Sequence, residues 1–248
     1  MTSVSLTRRT RAGVRHSADG GSQPPVGLSR VHVYVKTVLD LMVAVALLAV
    51  LAPSMLVVAI AIRLDSPGPI FFIQERWGVR ARRRGGRVVY EPATFRFYKF
   101  RSMVSDADTS LHRAHIQRYL AGASLAGESN ARFKLGHDPR VTEVGRFIRR
   151  TSLDELPQLF NVLKRDMSLV GPRPVPLYEG EHYLQHAPER FGAMPGLTGL
   201  WQVSGRCDLS AKEMLDLDVE YVRRQSLGLD LKVLLKTVPA VFNGRGAA

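Results

Sequence analysis

The sequence predicts a helix-rich α/β protein held at a membrane. Three observations carry this. The stretch Leu41–Ile62, LMVAVALLAVLAPSMLVVAIAI, contains no charged residue. Basic residues crowd both of its flanks: Arg8, Arg9, Arg11, Arg15, Arg30 and Lys36 before it, Arg63, Arg76, Arg80, Arg82, Arg83, Arg84 and Arg87 after it. Downstream, short strand-like segments and short helical ones supply enough apolar residues for one soluble core. The chain divides into a disordered basic tail (1–29), a membrane helix (30–64) and a soluble domain (65–248).

The apolar stretch can be placed in three ways. At about 1.5 Å per residue it is long enough to cross a hydrocarbon core of roughly 30 Å. Pro53 lies near its middle, where it has no N–H to give and its ring clashes with the preceding turn, so the helix kinks or breaks. If it breaks, neither half spans alone, at about 18 Å and about 14 Å. Basic flanks favour the cytoplasmic side. Here both flanks are basic, which favours a re-entrant helix broken at Pro53 that enters and leaves by one face. A kinked spanning helix and a buried helix of a soluble protein are the other readings.

The chain has 248 residues and a net charge of +13, which implies an anionic partner. Nucleic acid, anionic lipid and a phosphorylated substrate all answer to charge alone. The apolar stretch favours anionic membrane lipid. Nucleic acid is set aside, because no aromatic residues are interleaved with the arginine cluster at 80–87 and no recognition signature lies near it. The single Cys207 excludes an internal disulfide and a cysteine-rich zinc site, and fits a reducing, cytoplasm-facing location. The apolar stretch begins too far into the chain and runs too long for a signal peptide.

Residues 1–29 are polar, with Pro24 and Pro25, and are expected to be disordered. Val31–Asp40 continues helically into the apolar run, and Lys36 is the natural partner of Asp40, four residues on. Pro67-Gly68-Pro69 is a turn. Ile70–Ile73 reads as a short buried strand or a piece dipping into the interface, Arg80–Gly86 as a hairpin tip or solvated loop, and Val88–Tyr98 as a strand interrupted at Pro92. Ser105 or Asp106 would cap a helix running to about Leu120, followed by a small-residue loop, AGASLAGESN. His112 and His115 read as exposed on that helix. Asp138-Pro139-Arg140 is a turn, and Val141–Arg150 a short basic helix.

Residues 149–174, RRTSLDELPQLFNVLKRDMSLVGPRP, hold the chemistry. A helix is expected from near Asp154 to Lys164, burying Leu156, Leu159, Phe160 and Leu163. Either Ser152 and Glu155 form a capping box, or Asp154 caps and Pro157 falls in the first turn; the second suits proline better. Both place two adjacent carboxylates at a helix start near Arg146, Arg149 and Arg150, which would hold them ionised. Ordinary capping with solvated arginines would look the same. Gly171-Pro172-Arg173-Pro174 then tips the balance: a rigid turn aims one guanidinium at a phosphate or carboxylate. An ionised aspartate among arginines is a usable nucleophile toward phosphorus. A neighbouring glutamate can share a hard divalent cation with phosphate oxygens. Zinc fits less well, since no histidine pair is read at ligand spacing.

From about Lys36 to the C-terminus the sequence resembles the bacterial sugar transferase family, the monotopic polyprenyl-phosphate phosphoglycosyl transferases. The motifs are KTVLDL, DSPGPIFFIQERWG, YKFRSM, DPRVTEVGRFIRRTSLDELPQLFNVLKRDMSLVGPRP and PGLTGLWQVSGR, in that order. The resemblance implies a re-entrant helix, a small cytoplasmic catalytic domain with a short β-hairpin, and interfacial amphipathic helices. It places the enzyme on the cytoplasmic face of the bacterial inner membrane. It implies that Asp154 attacks the β-phosphate of a nucleotide-sugar and carries a phosphosugar, which polyprenyl phosphate then accepts, the first membrane step of an exopolysaccharide-type glycan. It makes Glu155 the ligand of a required Mg2+, and Lys99, Arg149 and Arg173 the cations around the phosphates. Leu229, Leu231, Leu234, Leu235 and Val238 would face the interface. The LWQVSGR segment leans toward a hexose, and family habit toward uridine. Two departures stand out. Ala52-Pro53 replaces the usual Ser-Pro at the helix break, and a polar tail stands where many relatives carry spanning helices. A non-catalytic basic scaffold on anionic lipid is the rival reading; it has no need of the Asp-Glu pair and its ordered arginines.

Overall fold

A computed structural model describes residues 27–104, 138–205 and 209–242. The helix and loop expected after Ser105, with His112 and His115, lie outside the described residues, as do Cys207 and the tail through residue 26.

Helix α1 runs Arg30–Asp65. Ser29 caps its start, its hydroxyl accepting from the His32 N–H. The expected break at Pro53 is not seen: the helix continues through it. Proline removes one backbone hydrogen bond, and the Ser54 hydroxyl donates to the Leu51 carbonyl at 2.7 Å, so a serine follows the proline here where the family places one before it. At the far end the buried Arg101 caps the last turn, donating to the carbonyls of Ile62, Ser66 and Pro67. One face of α1 packs on the domain through Ala44, Met55, Val58 and Ile62, while Val50, Leu56, Val57 and Leu64 are exposed.

The hairpin is far longer than expected. Strands β1 (Phe71–Arg84) and β2 (Arg87–Phe100) pair without interruption from Phe71 with Phe100 to Arg84 with Arg87. Arg80–Arg84 is therefore strand, and the turn is Gly85-Gly86 alone. Both glycines have positive φ, 53° and 79°, which a two-residue hairpin turn requires. Pro92 does not interrupt the pairing; β2 is the edge strand of its sheet, where a missing N–H is tolerated. Order also begins before Arg30, since Leu28 exchanges hydrogen bonds with Val88.

The remaining elements are short. They are α2 (Glu143–Arg150, capped by Thr142), a 3₁₀ turn (Leu153–Glu155), α3 (Gln158–Leu163), β3 (Ser168–Val170), β4 (Val175–Pro176) and α4 (Leu177–His186). After them come a second 3₁₀ turn (Pro188–Gly192), β5 (Gly196–Thr198), α5 (Leu200–Ser204), α6 (Ala211–Arg224) and α7 (Leu227–Phe242). β4 adds antiparallel to β1, and β3 pairs parallel with β5. A capping box of Ser210 and Glu213 starts α6.

The largest core cluster joins Ala44 of α1, Phe97 of β2, Leu159 and Val162 of α3, Val170 of β3, Tyr221 of α6 and Val233 of α7. A second joins Met55, Val58 and Ile62 to Phe100 and Ile148. Lys36 lies 3.8 Å from Asp40, as expected, but its nearest partner is Asp230 of α7 at 2.6 Å. Of the five apolar residues expected at an interface, Leu231, Leu235 and Val238 are exposed, while Leu229 and Leu234 pack against the core. The expected burial on α3 is partly reversed. Leu159 is buried, but Phe160 and Leu163 are exposed and the polar Gln158 and Asn161 are inside.

Candidate active site

The carboxylate pair does not start an α-helix. Ser152 turns left-handed at φ 58° after α2, and the chain then makes the 3₁₀ turn Leu153–Glu155 before α3 begins at Gln158. Neither expected cap forms: Ser152 makes no side-chain capping bond, and Asp154 sits inside the 3₁₀ turn. Pro157, with no N–H to offer, separates the 3₁₀ turn from α3. The result is that Asp154 faces inward, 3 % exposed, against β2.

Lys99 of β2 meets it there. Its ammonium is 2.6 Å from Asp154 Oδ2 and 3.9 Å from Glu155 Oε1. Asn161, fully buried on α3, sets the register of that contact. Its amide donates to the Arg96 carbonyl at 2.7 Å, and its oxygen accepts from the Tyr98 N–H at 3.1 Å. It fills two backbone bonds on the strand beside Lys99. Among the described residues no hydrogen bond reaches Asp154 Oδ1.

Glu155 is gripped by Arg173, at 2.7 Å to Oε1 and 3.4 Å to Oε2, a forked guanidinium–carboxylate pair. The turn that carries Arg173 is tied down on every side. The Gly171 N–H donates to Thr198, and the Pro172 carbonyl accepts from Gly196. A side chain at Gly171 would come within 2.0 Å of the Met194 carbonyl, so only glycine fits. Two further arginines hold the turn's carbonyls: Arg190 donates to the Arg173 carbonyl, and Arg76 to the Pro174 carbonyl at 2.9 Å. Arg190 is itself buried and paired with Asp218 at 2.8 Å. Burial pushes the Asp218 carboxyl up to about 6, against the pull of Arg190. Burial, with Arg173 nearby, brings Arg76 down to about 10.

Of the site residues expected from sequence, Asp154, Glu155, Lys99 and Arg173 therefore come together. Arg149 does not join them: among the described residues it makes no ion pair, and its charge acts on Asp138. The Asp138 carboxyl is held below its usual range chiefly by hydrogen bonds from Arg140.

The family model described as bacterial sugar transferase matches residues 31–244. The chain belongs to that family. It is 41% identical over 215 residues to an undecaprenyl-phosphate galactose phosphotransferase of Salmonella typhimurium, covering 86% of this chain and 42% of that protein. It is 37% identical over 228 residues to the exopolysaccharide production protein ExoY of Sinorhizobium fredii, covering 92% of each. It is 40% identical over 215 residues to a UDP-glucose:undecaprenyl-phosphate glucose-1-phosphate transferase of Caulobacter vibrioides, covering 84% and 69%. The chain spans less than half the length of the Salmonella protein and of a similar galactosyl transferase, CpsE, from Streptococcus agalactiae.

In this member of the family the residues that sequence reading missed are the ones behind the four. Asn161 and Arg190 are polar side chains on short elements whose partners lie far along the chain. Polarity amid apolar neighbours marks Asn161, and nothing local marks Arg190. Gln158, one turn past Asp154, is wholly buried with neither amide atom partnered by protein among the described residues. Sequence reading also passed over His182 and His186, four apart on α4, whose rings stack at 4.2 Å. They do not make a metal site, as no group of three ligating side chains occurs among the described residues. The same fact bears on Mg2+. Glu155 with Asp154 provides two adjacent carboxylates, which suits a cation that takes its other ligands from phosphate oxygens and water.

Proposed function

We propose that the chain transfers a sugar-1-phosphate from a nucleotide-sugar, a UDP-hexose, to polyprenyl phosphate through an aspartyl-phosphosugar intermediate. The observation that carries this is the set of two carboxylates and two cations, Asp154 with Lys99 and Glu155 with Arg173, in which the nucleophile is buried and oriented. The names of the relatives, which specify undecaprenyl phosphate and UDP-glucose, support the substrate class.

Lys99 holds Oδ2, so Oδ1 is the oxygen left to attack the β-phosphorus. The new O–P bond forms as the bond to the nucleoside monophosphate breaks, and that phosphate departs with the electron pair. An oxygen of polyprenyl phosphate then attacks the same phosphorus, the Asp154 O–P bond breaks, and the carboxylate is restored. Lys99 and Arg173 exchange their carboxylate partners for phosphoryl oxygens as charge develops there. Glu155 would hold Mg2+, whose part when bound is to neutralise diphosphate charge.

Membrane attachment follows the packing of α1. The helix is long and apolar enough to cross a bilayer, yet it touches the same soluble domain near both ends of its apolar stretch, at Ala44 and at Ile62. Crossing would pull Phe100 and Ile148 into the lipid. A helix bent at Pro53 and dipping into one leaflet keeps both contacts, which supports a monotopic, re-entrant attachment on the cytoplasmic face. The exposed arginines Arg82, Arg83 and Arg84 at the hairpin end would meet anionic headgroups.

The test is release of nucleoside monophosphate from a panel of UDP-sugars by detergent-solubilised protein with polyprenyl phosphate and Mg2+. Release from one hexose donor is expected, and Asp154→Asn should abolish it while leaving membrane association intact. Unchanged turnover in Asp154→Asn would remove the nucleophile assignment. No release from any nucleotide-sugar by folded protein would favour the scaffold reading.

A further inference from the structure

A cavity of about 190 Å³ is lined by none of Asp154, Glu155, Lys99 and Arg173. Its walls come from the start of α1, the middle of the hairpin and the segment after α3. It has room for about six waters at liquid density. Its charges are sorted by depth. Inside lie Lys36, Asp40 and Tyr90, all largely buried; at the rim lie the exposed Arg80 and Arg165. The inner set is short of one positive charge, because Lys36 serves two carboxylates, Asp230 at 2.6 Å and Asp40 at 3.8 Å. Asp40 also accepts hydrogen bonds from the Ser168 hydroxyl, at 2.7 Å, and from the Leu169 backbone. The half-buried Asp166 adds a second carboxylate to the wall. At the rim the balance is opposite: neither Arg80 nor Arg165 makes an ion pair among the described residues. Arg165 is also held in a left-handed backbone conformation, φ 62°, at the end of α3.

We propose that this cavity binds the headgroup of an ethanolamine phospholipid, the ammonium seated on Asp40 and the phosphodiester between Arg80 and Arg165. A zwitterion with its cation inside and its anion outside matches the sorting, which a simple anion or a simple cation does not. The place fits a lipid. The cavity lies where the charged start of α1 gives way to its apolar run, at Lys36, Asp40 and Leu41. The site rests on the membrane attachment proposed above. It is separate from the carboxylate pair and would fix the depth at which the domain rides on the leaflet.

The experiment equilibrates the detergent-solubilised full chain with equal amounts of phosphatidylethanolamine, phosphatidylcholine and phosphatidylglycerol and counts retained lipid by native mass spectrometry. Phosphatidylethanolamine is expected to be retained roughly tenfold over phosphatidylcholine, the value of one charge-assisted hydrogen bond that a quaternary amine cannot make. Asp40→Asn should erase that preference. The rim double variant Arg80→Gln/Arg165→Gln should lower retention of phosphatidylethanolamine and phosphatidylcholine alike, with nucleoside monophosphate release unchanged. Equal retention of the two lipids by the wild-type chain overturns the site. So does undiminished phosphatidylethanolamine retention in the rim variant, which decides the matter even if Asp40→Asn fails to fold. Flotation with phosphatidylcholine vesicles separates the two readings. Protein that floats but shows no lipid preference loses this site alone, and protein that does not float loses the membrane attachment and the site with it.

Discussion

Arg173 and Glu155 form a forked pair in which both guanidinium nitrogens reach the carboxylate, and the same fork is suited to a phosphoryl group once substrate enters. Lysine cannot reproduce it. Arg173→Lys is expected to lower kcat/KM about tenfold or more, with little change in thermal stability, as steady-state kinetics and a melting curve would read. The buried pair behind it responds to pH. Asp218 has its carboxyl raised by burial from 3.8 to about 6. The folded state therefore holds this proton longer than the unfolded chain does. Asp218's contribution to stability is complete below the unfolded value and is lost as pH rises through about 6. Asp218→Asn should remove that slope. The melting temperature of the wild-type chain, measured relative to the variant, is expected to rise on going from about pH 7 to about pH 4. No change in the difference would show that Asp218 does not titrate there.

Among the elements, the division between what the sequence discloses and what it hides follows the range of the contacts. Asp154, Glu155, Lys99 and Arg173 could be picked out because each lies in a short motif with its own chemistry. Both caps expected for a helix at Asp154 are local, and neither forms because the side chain's partner is Lys99 on a strand. The hairpin is longer than its sequence suggests because arginines at 80–84 read as solvated loop. In the structure alternate residues of that stretch simply project from a paired strand, whose length is set by the two glycines. Asn161 shows the same limit. Its spacing marks it as a polar residue on an apolar helix, and only the fold shows that it takes the place of a neighbouring strand for Arg96 and Tyr98. Asn161→Leu would leave both backbone groups unpaired in the interior, at a cost of about 1–3 kcal/mol each. A lower melting temperature and slower turnover are expected together, because Lys99 is the next residue on that strand. A variant that melts earlier but turns over at the wild-type rate would separate α3 docking from Lys99 placement.

Over the whole molecule, exposed apolar side chains are spread across separate elements: Phe71, Phe72 and Ile73 at the base of the hairpin, Phe147 on α2, Phe160 and Leu163 on α3, and Leu231, Leu235 and Val238 on α7. With the outer face of α1 they leave large apolar side chains exposed on several elements. The stripe on α7 can be tested without touching the core. Leu231→Ser/Leu235→Ser/Val238→Ser should reduce flotation with vesicles severalfold while leaving the detergent-solubilised melting temperature close to wild type, since area exposed to lipid, not interior packing, is removed. Loss of thermal stability instead would mean that these side chains pack within the protein. The ion pair between Lys36 and Asp230 has a further consequence, because it joins residues 194 positions apart. Most of the chain must be synthesised before the first helix meets its partner on the last. During that interval Met55, Val58 and Ile62 can already meet Phe100 and Ile148, but the Lys36 end of α1 lacks its Asp230 partner, and a contact so distant forms late in folding. The bilayer, reached while the ribosome is still working, would then act as a scaffold for maturation: it shelters the nascent helix until α7 arrives to close the domain.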